Sequence, residues 1–312
     1  MSGENGEHPQ DSGPRATSWG EVVRLRTLPA AVAPVILGAG AAAAMGELSV
    51  LRSLLAAGVA LALQIGCNLA NDYSDGVRGT DDDRTGPPRL TASGQVAPRT
   101  VKLAAFGCFG LGALLGLALV VLSGQWWLLA VGAAAIAAAW FYTGGKHPYG
   151  YMGIGLSELF VFVFFGLMAT VGTTWTHTPQ APWWLWLMAS CLGLLSVAML
   201  MVNNIRDIPT DSVSGKKTLA VRLGQRVSRW IYALCLLFPI TVFAALPQAV
   251  GTPVIVCILA SITWLLAITQ PAYLVLSGLR GKGLILVLKH TGFLTLGWAI
   301  FVSALLVSST FA

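Results

Sequence analysis

Charge is scarce in this chain of 312 residues: Asp, Glu, Lys and Arg together make up only 10%, where a soluble domain carries about 25%. Hydrophobic residues make up 55% and the mean hydropathy is +0.73. That balance excludes an ordinary soluble globule and points to a polytopic membrane protein, because apolar runs of bilayer-spanning length recur along the chain. Period-2 alternation is missing, which excludes a transmembrane barrel. Lipid offers no partner to a free backbone amide, so the spanning elements are helices. The five cysteines (Cys67, Cys108, Cys191, Cys235 and Cys257) lie in apolar runs without a CxxC pair or a His/Cys cluster. Zinc, haem and a disulfide framework are therefore excluded, and the cysteines read as small core residues. Carboxylates are fewer than cations, thirteen against nineteen, and seven of the thirteen fall in two short stretches.

Residues 1–17 are polar and rich in Gly, Ser and Glu, and read as a disordered tail. No basic segment precedes an apolar one there, so a cleavable signal peptide is not expected. Residues 18–312 read as one intramembrane domain. Its expected fold is an all-α membrane protein of nine transmembrane helices around a central cavity, near 28–46, 50–70, 101–122, 126–142, 152–174, 183–202, 229–247, 252–276 and 289–310. With the N-terminus cytoplasmic and the C-terminus outside, eighteen of the nineteen basic residues fall on the inner side, and only Arg52 falls outside. Trp126, Trp127, Trp183, Trp184 and Trp186 then sit at outer edges as an aromatic belt. The long charged loops 71–100 and 203–228 share the inner face, which places the chemistry on the cytoplasmic side. The net charge of +6 follows this topology. It suits anionic lipid and an anionic substrate, not nucleic acid.

The first acidic stretch is Asn68-Leu-Ala-Asn71-Asp72-Tyr-Ser-Asp75, continuing to Asp81, Asp82 and Asp83. Asn68, Asn71, Asp72 and Asp75 stand at i, i+3, i+4 and i+7, one stripe of a helix. Hard oxygens of this kind suit Mg²⁺, completed by phosphate oxygens of a substrate. Carboxylates at a helix C-terminus oppose the macrodipole, so a purely structural role leaves an electrostatic cost unexplained. The second stretch is Asn203-Asn204-Ile-Arg206-Asp207-Ile-Pro209-Thr-Asp211, where Pro209 is expected to kink or break the helix. The two stretches form a weak internal repeat, and a four-helix unit used twice brings the acidic ends together across the cavity. Lys146, four residues beyond Tyr142, places a cation beside a ring. Arg78, Arg84, Arg89, Lys216 and Lys217 supply further cations for an anionic substrate. Glu158, alone inside the fifth span, is a candidate for acceptor binding or proton handling, or else a protonated interhelical group. His290, at the start of the last span, is either an interfacial cap or an acid/base. A cation-coupled transporter is the rival class, but its site belongs near the bilayer midplane. An alcohol phosphotransferase lacks its Asp-Gly-x-x-Ala-Arg signature here.

Both stretches resemble the aspartate-rich motifs of the UbiA superfamily of intramembrane prenyltransferases, the first over Asn68–Gly94 and the second over Asn203–Gly224. The details are most similar to the menaquinone branch, with GLSELFVFVFFG at 155–166 and LKHTG at 288–292 in support. The resemblance implies Mg²⁺-dependent transfer of a polyprenyl group from an allylic diphosphate to 1,4-dihydroxy-2-naphthoate in a cell membrane, with carboxylate loss and oxidation giving demethylmenaquinone. Acceptors such as 4-hydroxybenzoate or homogentisate are the alternative. It assigns metal binding to Asp72, Asp75, Asp81, Asp82, Asp207 and Asp211. Diphosphate binding falls to Asn68, Asn71, Arg26, Arg84, Arg89, Lys146 and Lys216. Tyr142, Lys146 and Asp207 take catalytic roles, and membrane lipid surrounds the tail. One departure is Gly79, which stands where the superfamily has a third aspartate, so that acid is displaced to Asp81, Asp82 or Asp83.

Overall fold

The computed structural model describes residue 24, residues 27–79 and residues 90–309. Among these residues every regular element is a helix, and each of the nine apolar segments read from the sequence coincides with helix. They are α1 (Leu28–Ala44), α2 (Val50–Arg78), α3 (Pro98–Ser123), α4 (Leu128–Phe141), α5 (Leu156–His177), α6 (Trp183–Val213), α7 (Leu219–Val250), α8 (Val254–Leu276) and α9 (Gly283–Ser308). Among the described residues, seven of these are long and apolar enough to cross a membrane, whereas α1 and α4 are shorter. α7 pauses at Phe238 and Pro239, between Leu219–Leu237 and Ile240–Val250.

Two helices run further into their polar ends than the sequence suggests. α2 continues through the whole acidic stripe and stops at Gly79, whose φ of 71° closes the last turn onto the carbonyls of Asp75 and Gly76. α6 continues through Pro209 to Val213, so the expected break is not found. The proline ring lies on the exposed side of the helix. The ladder resumes beyond it, with Ser214 N–H bonded to Thr210 O at 3.0 Å and Lys216 N–H to Asp211 O at 2.9 Å. One forgone amide bond is thus the main loss.

α6 is the central helix, and Leu185, Leu192, Leu195, Met201 and Ile205 on it are completely or almost completely buried. Close backbone approach at small residues fixes its neighbours. A Cβ on Gly38 of α1 would stand 2.5 Å from Thr170 O of α5, and one on Gly40 would stand 2.5 Å from Ser303 Cβ of α9. The first helix is therefore wedged between α5 and the last helix, which closes the bundle. α4, rich in alanine, buries none of its residues. Ile255, Ile258, Leu259, Ile262, Leu265 and Leu266 of α8 are exposed, as expected of a surface solvated by lipid.

The two ends of the bundle differ. At one end Arg52, the basic residue on the unexpected side, donates to Thr176 O at 2.9 Å and Leu122 O at 2.6 Å. It therefore caps the carbonyl ends of α5 and α3, a favourable place for a cation. His177, three residues beyond the expected fifth span, is buried at the end of α5, with Nε2 3.0 Å from Ser53 Oγ. Trp127, Trp175 and Trp186 form an edge-to-face chain on this side. All the acidic ends lie at the other end.

Candidate active site

A cavity of about 530 Å³ opens between α2, α3 and α4 on one side and α5 and α6 on the other. Its walls are apolar for most of their depth and become polar at the acidic end, where the two stretches meet. Asn68, Asn71 and Asp75 reach it from α2, and Asn203, Asn204, Asp207 and Asp211 reach it from α6. Arg24 and Lys216 line the same end. The internal repeat therefore does in space what it suggests in sequence.

Asp75 is almost fully buried, and the groups around it are cationic or donors. Tyr151 O–H donates to its Oδ1 at 2.6 Å, and Lys216 Nζ stands 3.7 Å from its Oδ2. The Tyr151 ring lies between two cations, Arg78 at 5.4 Å and Lys216 at 5.1 Å from its centroid. Arg78 donates to the carbonyls of Thr143 and Gly145, tying the end of α2 to the chain that leaves α4. Thr143 O–H donates to Asn71 Oδ1 at 2.8 Å. These cations oppose the carboxylates gathered at the negative ends of α2 and α6. On α6, Arg206 forks onto Asp207, Nε to Oδ1 at 2.7 Å and Nη2 to Oδ2 at 2.6 Å. Such a bidentate charge-assisted pair fixes the carboxylate plane.

Several expected residues lie elsewhere. Asp72 is on the stripe but has no exposed surface and does not line the cavity. Its Oδ2 and Oδ1 accept from Leu90 N–H at 3.1 Å and Thr91 N–H at 3.0 Å. The carboxylate thus latches the returning chain onto α2, where Gly76 leaves room for Thr91. Asp72→Asn puts an amide nitrogen against one of those donors, so a stability loss of about 1–3 kcal/mol is expected. Thermal unfolding of the detergent-solubilised protein measures it; an unchanged midpoint contradicts the latch.

Lys146 is exposed and outside the cavity lining. Its i,i+4 relation to Tyr142 does not hold, because α4 ends at Phe141 and Gly145, at φ 77°, turns the chain away. Tyr149 instead packs on Tyr142, with ring centroids 5.5 Å apart, and Gly150 N–H bonds to Tyr142 O. Burial, followed by the Cys67 thiol, raises the Tyr149 phenol well above its ordinary range. It therefore stays a donor, to Ala138 O at 2.8 Å. Glu158 sits in the first turn of α5; its Oε1 is buried with no hydrogen-bond partner among the described residues. His290, partly buried on α9, does not line the cavity. Arg26, Asp81, Asp82, Asp83, Arg84 and Arg89 lie outside the described residues. Tyr151 and Thr143 were missed, since single loop residues near a Gly-Gly turn carry no periodic signal.

The donor set fits a hard divalent cation: carboxylate and amide oxygens, with no thiolate or imidazole among them. Among the described residues no group of three His, Cys, Asp or Glu is close enough to hold an ion. A Mg²⁺ ion at Asp75, or at Asp207 and Asp211, would therefore need water and substrate oxygens to complete its shell, its usual habit.

A profile of the UbiA prenyltransferase family matches residues 31–277. The 1,4-dihydroxy-2-naphthoate octaprenyltransferase of Mycobacterium tuberculosis is 47% identical over 289 residues, 92% of this chain and 96% of that protein. The protein of the same name from Escherichia coli is 41% identical over 238 residues, 74% of this chain and 76% of that protein. Among solved structures, a UbiA homolog from Archaeoglobus fulgidus bound to DMAPP and Mg²⁺ superposes with a TM-score of 0.66. It covers 94% of this chain and 99% of that chain at 13% identity, a likeness of fold alone. This chain belongs to the UbiA prenyltransferase family and is a multi-pass membrane prenyltransferase.

Proposed function

We propose that the protein transfers a polyprenyl group from an allylic diphosphate to 1,4-dihydroxy-2-naphthoate, with loss of the carboxylate, on the way to demethylmenaquinone. The observation that carries this reading is the convergence of Asp75 with Asp207 and Asp211 at the one polar end of an otherwise apolar cavity. The names of the relatives at 47% and 41% identity support the acceptor. Nine crossings, with the N-terminus and the acidic end cytoplasmic, agree with the basic-residue bias.

The diphosphate lies at the acidic end, where Asn68, Asn71, Lys216 and the flanking Arg24 face it. Asp75 on one side and Asp207 with Asp211 on the other would hold Mg²⁺, which would supply positive charge to offset that of the leaving diphosphate. The C–O bond breaks with its electron pair on the diphosphate, and Lys216 compensates part of that charge. The allylic cation is left in an apolar space that excludes water, with the Tyr142 ring on the wall to stabilise it. An electron-rich ring carbon of the acceptor then attacks the cation to form the C–C bond, and the carboxylate leaves as CO2, its bonding pair restoring the aromatic ring. Asp72 holds the end of α2 in place. Lys146, exposed outside the cavity, acts at most on the approaching diphosphate.

An acceptor panel tests this directly. Membranes containing the chain are expected to prenylate the naphthoate and to lose that activity with a chelator, recovering it with added Mg²⁺. Turnover of 4-hydroxybenzoate or homogentisate but not the naphthoate overturns the acceptor assignment. Full turnover without divalent cation overturns the metal role.

A further inference from the structure

We propose that the π-helical turn of α5 sets the width of the acceptor slot, with Gly166, Phe164 and Phe165 as the residues that admit a planar bicyclic acceptor. This rests on the acceptor reading above and adds to it the residues that determine specificity.

Residues Phe162–Met168 of α5 form a π turn, which inserts one residue and re-phases everything before it. The turn leaves Phe160, Phe164 and Phe165 all on the cavity wall. Tyr142, Tyr149, Phe160 and Phe164 make an edge-to-face ladder, with successive centroids 5.5, 4.9 and 6.0 Å apart. The ladder climbs from the acidic end into the cavity. The facing wall is aliphatic and small, with Ala60, Gly112 and Gly116 among its residues. A planar aromatic acceptor gains from ring edges and faces. A flexible isoprenoid needs only apolar surface, so the two walls sort the two substrates.

Behind the phenylalanines, α5 rests directly on the backbone of α6. A Cβ on Gly166 would stand 2.3 Å from Gly193 Cα, 2.6 Å from Gly193 N and 2.8 Å from Ala189 O. In return, a Cβ on Gly193 would stand 2.6 Å from the Phe162 ring. The π turn is therefore seated on α6 as deeply as two backbones allow, and this depth leaves the slot its width. Any side chain at 166 requires about 1.2 Å of movement to restore an ordinary carbon contact near 3.5 Å. α6 is the core helix, so α5 yields, and it yields toward the cavity with Phe164 and Phe165.

The experiment is steady-state kinetics of the full chain in membranes, with both substrates varied. Wild type must first turn over the naphthoate; if it does not, the acceptor reading fails independently of the slot. Gly166→Ala is expected to raise the KM for the naphthoate about tenfold, the scale of overpacking by one methyl, with the diphosphate KM within about threefold. Gly166→Ala/Phe165→Leu is expected to bring the acceptor KM back toward wild type, since trimming a ring restores the space. A purely structural glycine predicts the reverse, because the second substitution would add to the damage. Phe164→Trp narrows the slot without touching the helix contact, so it reads out even if Gly166→Ala does not fold. An unchanged acceptor KM in Phe164→Trp, equal shifts in both KM values, or no recovery in the double variant overturns the proposal.

Discussion

Asp75→Ala is expected to lower kcat/KM for prenyl transfer about 10³-fold, the scale of removing a preorganised electrostatic contact at a developing charge. The geometry makes this residue decisive. It is buried at the meeting point of α2 and the α6–α7 connection, with Tyr151 on one oxygen and Lys216 near the other. The tyrosine fixes the carboxylate rotamer at the cavity wall, where the proposed function puts a cation and a diphosphate. Removing the carboxylate also leaves Lys216 without the charge that aims it, so both the anionic and the cationic parts of the clamp are disturbed. The half-saturating Mg²⁺ concentration should rise together with the fall in rate. Asp72→Asn serves as the contrast, three residues earlier on the same helix, because its carboxylate is spent on Leu90 and Thr91. It should lose stability and keep a Mg²⁺ dependence like that of wild type. Asp75→Ala turning over within tenfold of wild type, or Asp72→Asn shifting the Mg²⁺ dependence as strongly, would reverse the assignment of the two aspartates.

That pair also marks where sequence reasoning stops. The stripe Asn68, Asn71, Asp72, Asp75 follows from helical periodicity, and α2 does carry it as one helix to Arg78. Periodicity gives a face about 100° wide, and neighbours divide that face. Asp72 turns to the amides of a segment eighteen residues away, which no local pattern encodes. The same limit explains Lys146. The spacing Tyr-x-x-x-Lys implies a contact only while the helix lasts, and the Gly144-Gly145 turn ends it. Pro209 errs in the other direction. Its effect was read from the missing amide, whereas the exposed side of a long helix absorbs one missing bond. The helical segments themselves were legible because composition alone sets them in lipid. The Gly166–Gly193 contact was not, since glycine in an apolar run says nothing of which backbone approaches it.

Asp207→Ala is expected to abolish turnover and also to destabilise the protein by about 3–5 kcal/mol, the cost of leaving a buried charge unpaired. Arg206 and Asp207 are neighbours on α6 whose side chains are only 3% and 12% exposed. The fork between them, at 2.7 and 2.6 Å, offsets the desolvation of both groups. Deleting the acid strands the guanidinium in the buried interior of the bundle, so loss of activity alone does not separate a metal-binding role from a folding role. The double variant Arg206→Met/Asp207→Leu separates them. Replacing a buried ion pair by apolar groups of similar volume is close to neutral, so the unfolding midpoint should return most of the way to wild type. Turnover should stay lost, because no carboxylate remains on α6 to face Asp75 except Asp211, one turn further on. If turnover returns with stability, Asp207 serves the fold and the cation is carried by Asp75 and Asp211. If neither returns, the pair contributes to folding beyond its own charges. If stability returns alone, Asp207 belongs to the diphosphate site, and the Arg206 fork is what holds its carboxylate plane in place until substrate arrives.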